Sequence, residues 1–162
     1  MGQDTRALPA PLRAFRIGDP HGQFPVFSAE GAMRVAGRWH EAGAEVIYAS
    51  QHYSTAMLEN LVKWNGTLPP NQHFIEITVP QGISYDVVTA ESLPGLFDSN
   101  QELSRRYGRD WYAEARSAVL VAPSVVARVE NNIVLNCQHP EFADISAGLE
   151  TPVWWDARLF RN

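Results

Sequence analysis

Short strand-like segments outnumber helical ones in this chain, and the two kinds do not alternate regularly. Ile75, Ile77 and Val79 alternate with Glu76 and Thr78, the period-two pattern of a strand with one buried face, and Ile83 to Val88 forms another after the Pro80–Gly82 turn. The run Ala118-Val119-Leu120-Val121-Ala122 reads as a strand that Pro123 ends, since proline has no N–H for a ladder. Val46-Ile47-Tyr48-Ala49 reads as a buried strand and Ala14 to Ile17 as a short apolar one, with Val125–Val129, Ile133–Leu135 and Val153–Trp155 as further candidates. One clear helix is expected, from Ala56 to Trp64, capped by Ser54 or Thr55 and carrying Met57, Leu58, Leu61 and Val62 on one apolar stripe from which Glu59 is absent. Asn100 to Ala115 reads as one or two short helices broken near Gly108, and Gly31 to Gly43 holds too many glycines for a helix. A parallel doubly wound sheet needs strands and helices in turn. This order points to the α+β class.

The 162 residues fit one domain with an adequate core, and 45% hydrophobic with 19% charged residues is a globular composition. The Pro-rich lead Leu8-Pro9-Ala10-Pro11 makes residues 1–12 an extended N-terminal arm and residues 13–162 the single domain. Eighteen acidic against thirteen basic side chains leave a net charge of -5, with no basic stripe to neutralise a duplex, so direct nucleic-acid binding is not expected. Nor is a membrane partner, because no stretch approaches the ~20 apolar residues of a span. Met1 to Arg6 lacks a basic-then-apolar leader and a myristoylation signal, and a cytoplasmic location is the expectation. Cys137 stands alone and reads as a small buried hydrophobe rather than a nucleophile. The five histidines, His21, His40, His52, His73 and His139, make no short metal-binding spacing, so no metal site is expected.

The motifs carry more. In order they are Phe15-Arg16, Phe27-Ser28-Ala29-Glu30-Gly31-Ala32, Gly37-Arg38-Trp39, Tyr48-Ala49-Ser50, Ala56-Met57-Leu58-Glu59-Asn60-Leu61-Val62, Val121-Ala122-Pro123-Ser124, Asn132 to Asn136 with His139-Pro140, and Asp156-Ala157-Arg158-Leu159. Taken together, in this order and spacing, they resemble the RES-domain family, the toxins of bacterial RES–Xre toxin–antitoxin pairs. The resemblance implies a mixed β-sheet core with flanking helices, similar to the ADP-ribosyltransferase toxin fold and split around a cleft for NAD. It further implies that NAD is consumed as a substrate, with no cofactor. Some members of the family cleave or phosphorolyse NAD at the nicotinamide N-glycosidic bond, depleting it and arresting growth, and others transfer ADP-ribose to a host enzyme. An Xre-like helix-turn-helix antitoxin is the implied partner, and a homodimer within the antitoxin complex the implied assembly. A binding module that holds a nucleotide or a partner protein without turnover is the reading from another class.

Residue chemistry fits this picture. A carboxylate that grips the nicotinamide ribose gains value as the sugar becomes oxocarbenium-like, and Glu59 is the candidate. Its alternative is an exposed helix position paired with Lys63 at i,i+4. Arg38, after a glycine that allows close approach, is the candidate to hold the pyrophosphate bidentately and the second catalytic residue; otherwise it stacks on Trp39 or pairs with an acid. Tyr48 is a candidate to stack on nicotinamide, or a core tyrosine; Ser124 to bind the amide or a phosphate, or a turn serine; Arg16 to contact phosphate or ribose, or a solvated arginine. His139-Pro140 and Asp156-Ala157-Arg158 read as structural corners. The chain departs from the family pattern at His40, Lys63 and Cys137, where relatives often carry Asn, His and Pro.

Overall fold

The computed structural model describes residues 6–161. Residues 1–5, with the part of the expected arm and of the stretch read for a leader that falls on them, lie outside the described residues, as does Asn162. In chain order the elements are β1 (Arg6–Ala7), β2 (Leu12–Gly18), α1 (Glu30–Arg34), β3 (Val46–Ser50), α2 (Tyr53–Lys63), β4 (His73–Val79), β5 (Ser84–Val87), α3 (Glu102–Ala113), β6 (Val119–Pro123), β7 (Asn131–Asn136), β8 (Ser146–Ala147) and β9 (Thr151–Pro152), with 3₁₀ turns at Pro140–Asp144 and Ala157–Leu159. The strands form one mixed sheet in the order β1-β5-β6-β7-β3-β2-β4-β8, with β9 also on β4, and β5–β6 is the parallel pair. This is the α+β architecture expected.

Burial alternates along the central strands and makes two cores. Val119, Ile133, Leu135, Ile47 and Ala49 turn to one face with Ala14, Ile75, Ile77 and Val79. Leu120, Ala122, Val134 and Val46 turn to the other, under Trp39, Leu96 and Trp111. A strand points successive side chains to opposite faces, so a sheet covered on both sides is apolar at every position. The arm is tied in where it is described: β1 pairs with β5, and Leu8 joins the first core.

The sheet is nearly severed at its middle. β2 pairs with β4 over seven residues and β3 with β7 over five, yet β2 and β3 meet at the single pair Phe15–Ser50. Arg16 fills the gap that opens beyond that pair. Its Nε donates to the Val26 carbonyl at 2.7 Å and its Nη1 to the Tyr48 carbonyl at 2.8 Å. A side chain thereby satisfies one carbonyl of β3 and one of the loop that follows β2, as partly buried backbone requires.

Several sequence expectations give way. Helix α2 starts at Tyr53 with no side-chain cap; the Tyr53 ring stands edge-on between Phe15 and Phe74, at 5.9 and 4.9 Å, so aromatic packing fixes the first turn. Its inner residues are Thr55, Ala56 and Asn60, while Leu58 and Val62 face outward, 42% and 55% exposed. The predicted stripe is therefore not the packed one. Val125–Val129 forms no strand but the turn between β6 and β7, closed by Ser124 N–H on the Glu130 carbonyl at 2.9 Å and Glu130 N–H on the Ala127 carbonyl at 2.8 Å. Val153–Trp155 likewise follows β9 without joining it. A five-residue helix, α1, occupies the start of the glycine-rich Gly31–Gly43 segment.

Helix α3 runs unbroken through Gly108, whose role is contact rather than flexibility. A Cβ at 108 would lie 1.8 Å from the Trp39 carbonyl oxygen and 2.5 Å from its carbon, so only glycine admits this backbone-to-backbone approach. Gly108→Ala should lower stability by about 3 kcal/mol, roughly 6–12 °C in Tm for a chain of this size. Gly31→Ala, at a helical position with nothing within 4 Å, should leave Tm unchanged or slightly raised. Thermal unfolding of the two variants side by side checks the assignment.

Candidate active site

A cleft of about 350 Å³ opens where β2 and β3 part, with α2 along one side and the loop before β3 along another. Its volume lies within the range of small-molecule sites. Arg16, Arg38, Tyr48 and Glu59 all line it, as do Ser50, Lys63 and Asn132.

Glu59 sits on the inner side of α2, between buried Ala56 and Asn60, and its carboxylate reaches across to the β6–β7 pair. Oε1 accepts from the Asn132 Nδ2 at 2.6 Å and from the Ser124 hydroxyl at 2.8 Å. Asn132 is itself oriented by the Ser50 hydroxyl, which donates to its Oδ1 at 2.8 Å. Among the described residues Glu59 makes no ion pair with Lys63, so the exposed i,i+4 pair is not what forms. Both short bonds fall on Oε1. Among the described residues none donates a hydrogen bond to Oε2.

Ser124 is fully buried and does not line the cleft. Besides donating to Glu59 it accepts the Ala127 N–H at 3.0 Å, so its hydroxyl is spent on the turn and on the carboxylate. Its place is behind Glu59.

The loop carrying Arg38 is held by a polar knot. Tyr48 Oη accepts the Trp39 N–H at 3.0 Å and lies 2.6 Å from His40 Nδ1. Tyr48 donates its proton to Nδ1, because the imidazole hydrogen sits on Nε2, which faces carbonyl oxygens that can only accept. That nitrogen is 2.9 Å from the carbonyls of both Ala32 and Val35 at the end of α1. All contacts agree on one tautomer. His40, a departure from the family pattern, is thus a buried tie between α1, its own loop and β3. A Cβ on Gly37 would stand 2.8 Å from the His40 ring and 2.9 Å from Tyr48 Oη, so the glycine before Arg38 makes room for the knot.

Arg38 extends from this loop and donates through Nη1 to the carbonyls of Leu96 and Asp98, at 2.7 and 3.2 Å. Burial lowers its pKa, and Arg128 adds to this, against opposing effects of Glu59, Tyr48 and Asp98. An arginine remains protonated throughout. Burial likewise pushes the Tyr48 hydroxyl well above its usual range, so the ring stays neutral. Lys63 is lowered by the surrounding protein and by Arg16, with Glu59 opposing. Arg38, Arg16 and Lys63 against one carboxylate make the cleft cationic in an acidic protein. Such a site suits a polyanion.

Of the five residues singled out in the sequence, four line one cleft and Ser124 backs it. Arg16 is half-buried rather than solvated, with two of its nitrogens committed to the backbone. Asn132 and Ser50 were not singled out, although both fall inside the quoted motifs. Among the described residues no three His, Cys, Asp or Glu side chains gather as a metal site. Cys137 is half-buried outside the cleft lining, and burial pushes its thiol up to about 12, with Glu45 adding and Arg16 opposing. His139 and Asp156 serve as turn caps, accepting the Glu141 and Arg158 N–H groups. Tyr48→Phe keeps the ring but strips the partner from the Trp39 N–H and His40 Nδ1. It should cost about 2 kcal/mol, read as a drop of roughly 4–8 °C in Tm.

Residues 13–156 match the family described as RES domain. A protein of Sphingobium sp. (strain YBL2) named "Prs ADP-ribosylating toxin" is 34% identical over 140 residues, covering 83% of this chain and 87% of its own. "Toxin Res" of Pseudomonas putida is 32% identical over 141 residues, covering 82% and 92%. Among solved structures, a chain of the M. tuberculosis MbcT–MbcA toxin–antitoxin complex superposes with a TM-score of 0.72 at 13% identity, covering 91% of this chain and 86% of that one. That likeness shows a shared fold. With a family match over residues 13–156 and two relatives above 30% identity, the chain belongs to the RES domain family of toxins.

Proposed function

We propose that this chain binds NAD in the cleft between β2 and β3 and breaks the bond between nicotinamide and its ribose. The observation that carries the reading is the Glu59 carboxylate, pinned through Oε1 by Ser124 and Asn132 in a cleft that also holds Arg38 and Tyr48. Nicotinamide departs with the C–N electron pair and becomes neutral, while positive charge grows on the ribose. A carboxylate fixed through one oxygen, the other unused among the described residues, stabilises that charge more than it stabilises the ground state, which is differential binding of the transition state. Arg38, held by Nη1, has its remaining N–H groups for the diphosphate. The neutral ring of Tyr48 offers a face to the cationic nicotinamide. Arg16 braces the floor and faces the phosphates or ribose. Ser124 acts through Glu59 rather than on the dinucleotide.

The ADP-ribosyl cation is then taken by water or phosphate, each losing a proton. A second reading, with a protein side chain as acceptor, is favoured by one observation, the name of the Sphingobium relative. NAD is the substrate in both, with no separate cofactor. A helix-turn-helix antitoxin of the Xre type is the proposed partner, supported by the fold shared with a subunit of a toxin–antitoxin complex, and a homodimer within that complex is the proposed assembly. The proposed location is the cytoplasm, where NAD is drawn on; no helix among the described residues is long and apolar enough to cross a membrane.

The test is incubation of the purified protein with NAD, with and without phosphate, following nicotinamide and the ADP-ribose product by chromatography. Glu59→Gln still accepts from Ser124 and Asn132 but loses the charge, and should lower kcat/KM at least about 100-fold with an unchanged Tm. Arg38→Ala should weaken NAD binding about tenfold or more. Full turnover in both variants would overturn the site. No nicotinamide release by folded wild-type protein, alone or with cell extract as a source of acceptor protein, would favour a binding module.

A further inference from the structure

We infer that Asn132 is a positioning residue for the Glu59 carboxylate, and that its amide fixes which oxygen faces the substrate. The inference rests on the proposed cleavage of NAD and assigns a residue to that same site.

Geometry leaves the amide one orientation. A carboxylate oxygen only accepts, so the Asn132 atom 2.6 Å from Glu59 Oε1 must be the NH₂ group. Oδ1 then faces Ser50, whose hydroxyl donates to it at 2.8 Å. Ser50 is buried, and it sits directly opposite Asn132 in the β3–β7 register, so the relay is built on two hydrogen-bonded strands rather than on a loop. Ser124 supplies the second donor from the end of β6. Two neutral donors on one oxygen keep the carboxylate from turning, and the other oxygen is left for a hydroxyl of the ribose. This is preorganisation by groups that need not move as the reaction proceeds. Deleting the Asn132 amide would leave Glu59 with a single anchor and freedom about its terminal torsion.

The charged groups facing Glu59 come from several elements. Lys63 lies on its own helix, Arg38 comes from the loop before β3, and Arg16 comes from β2, all lining the cleft. His52 and Glu130, paired at 2.7 Å, lie beside the β6–β7 turn. None is altered by a change at 132 or 50. Asn132→Asp replaces the donor by a second carboxylate near Oε1, and two such groups cannot both ionise freely.

The experiment records the pH–rate profile of nicotinamide release for the wild type, Asn132→Asp, Asn132→Ala and Ser50→Ala, with carbon-13 titration of the Glu59 carboxyl in each unliganded protein. Asn132→Asp is expected to move the acid limb at least one pH unit upward, with the Glu59 titration moving alongside. Asn132→Ala should lower kcat 10- to 100-fold while KM changes less than threefold, and Ser50→Ala should show a smaller loss of kcat. A residue that merely stabilised the strand pair would lower Tm without shifting either titration. An acid limb and a Glu59 titration unmoved in folded Asn132→Asp overturn the inference. If Asn132→Asp does not fold, an unchanged kcat in Asn132→Ala or Asn132→Ser overturns it instead. Wild-type protein that releases no nicotinamide fails the proposed function alone, since the Glu59 titration still reads the contact.

Discussion

Everything at the cleft depends on the parting of β2 from β3. A continuous sheet would leave no space between Phe15–Gly18 and the Val46–Tyr48 stretch, yet a sheet cut through would expose ladder carbonyls and lose its order. One residue pair, Phe15–Ser50, keeps the halves in register, and the Arg16 guanidinium reaches from β2 to the Tyr48 carbonyl of β3 and to the Val26 carbonyl of the loop after β2. Arginine suits this task because its planar fork presents several donors at once and stays charged even when half-buried. The backbone groups freed by the opening are met by a side chain, and the opening becomes the cleft.

The second consequence falls on α2. A helix that packs against a cleft instead of a core turns its useful polar residues inward, so Glu59, Asn60 and Lys63 lie on or beside its protein side while Leu58 and Val62 face out. The helix carries the carboxylate but does not fix it. Its anchors are Ser124, just past the end of β6, and Asn132, on β7, 65 and 73 residues further along the chain. The carboxylate is thus placed by a pair of hydrogen-bonded strands rather than by its own helix.

This division explains what the sequence made legible. Period-two alternation over Ile75–Val79 and the apolar runs near Val46 and Val119 marked real strands, because local pattern and tertiary burial agree there. Arg38, Tyr48 and Glu59 were legible from their order among linked motifs. The packed face of α2 was not, since periodicity finds an amphipathic helix without saying which side meets protein. Val125–Val129 looked like a strand by its β-branched residues, but the bonds from Ser124 and Glu130 make it a turn. Asn132 and the supporting role of Ser124 were invisible for a related reason: each is defined by a partner with no fixed sequence offset. Gly108 resembled a helix breaker because the Trp39 carbonyl it accommodates lies on a distant loop.

That contact also bears on how such a chain can change over generations. The loop bearing Arg38 rests on α3 through main-chain atoms at Gly108, and through two side chains, Arg105, which donates to the Gly37 carbonyl at 3.0 Å, and Tyr107, edge-on to the Trp39 ring. Substitutions over the outer surface of α3 can accumulate without altering the height at which the arginine is presented, provided these three positions are kept. The placement of Arg38 is insulated from drift in the rest of its support, so lineages under pressure to remodel this surface can do so while the cleft beneath keeps its shape.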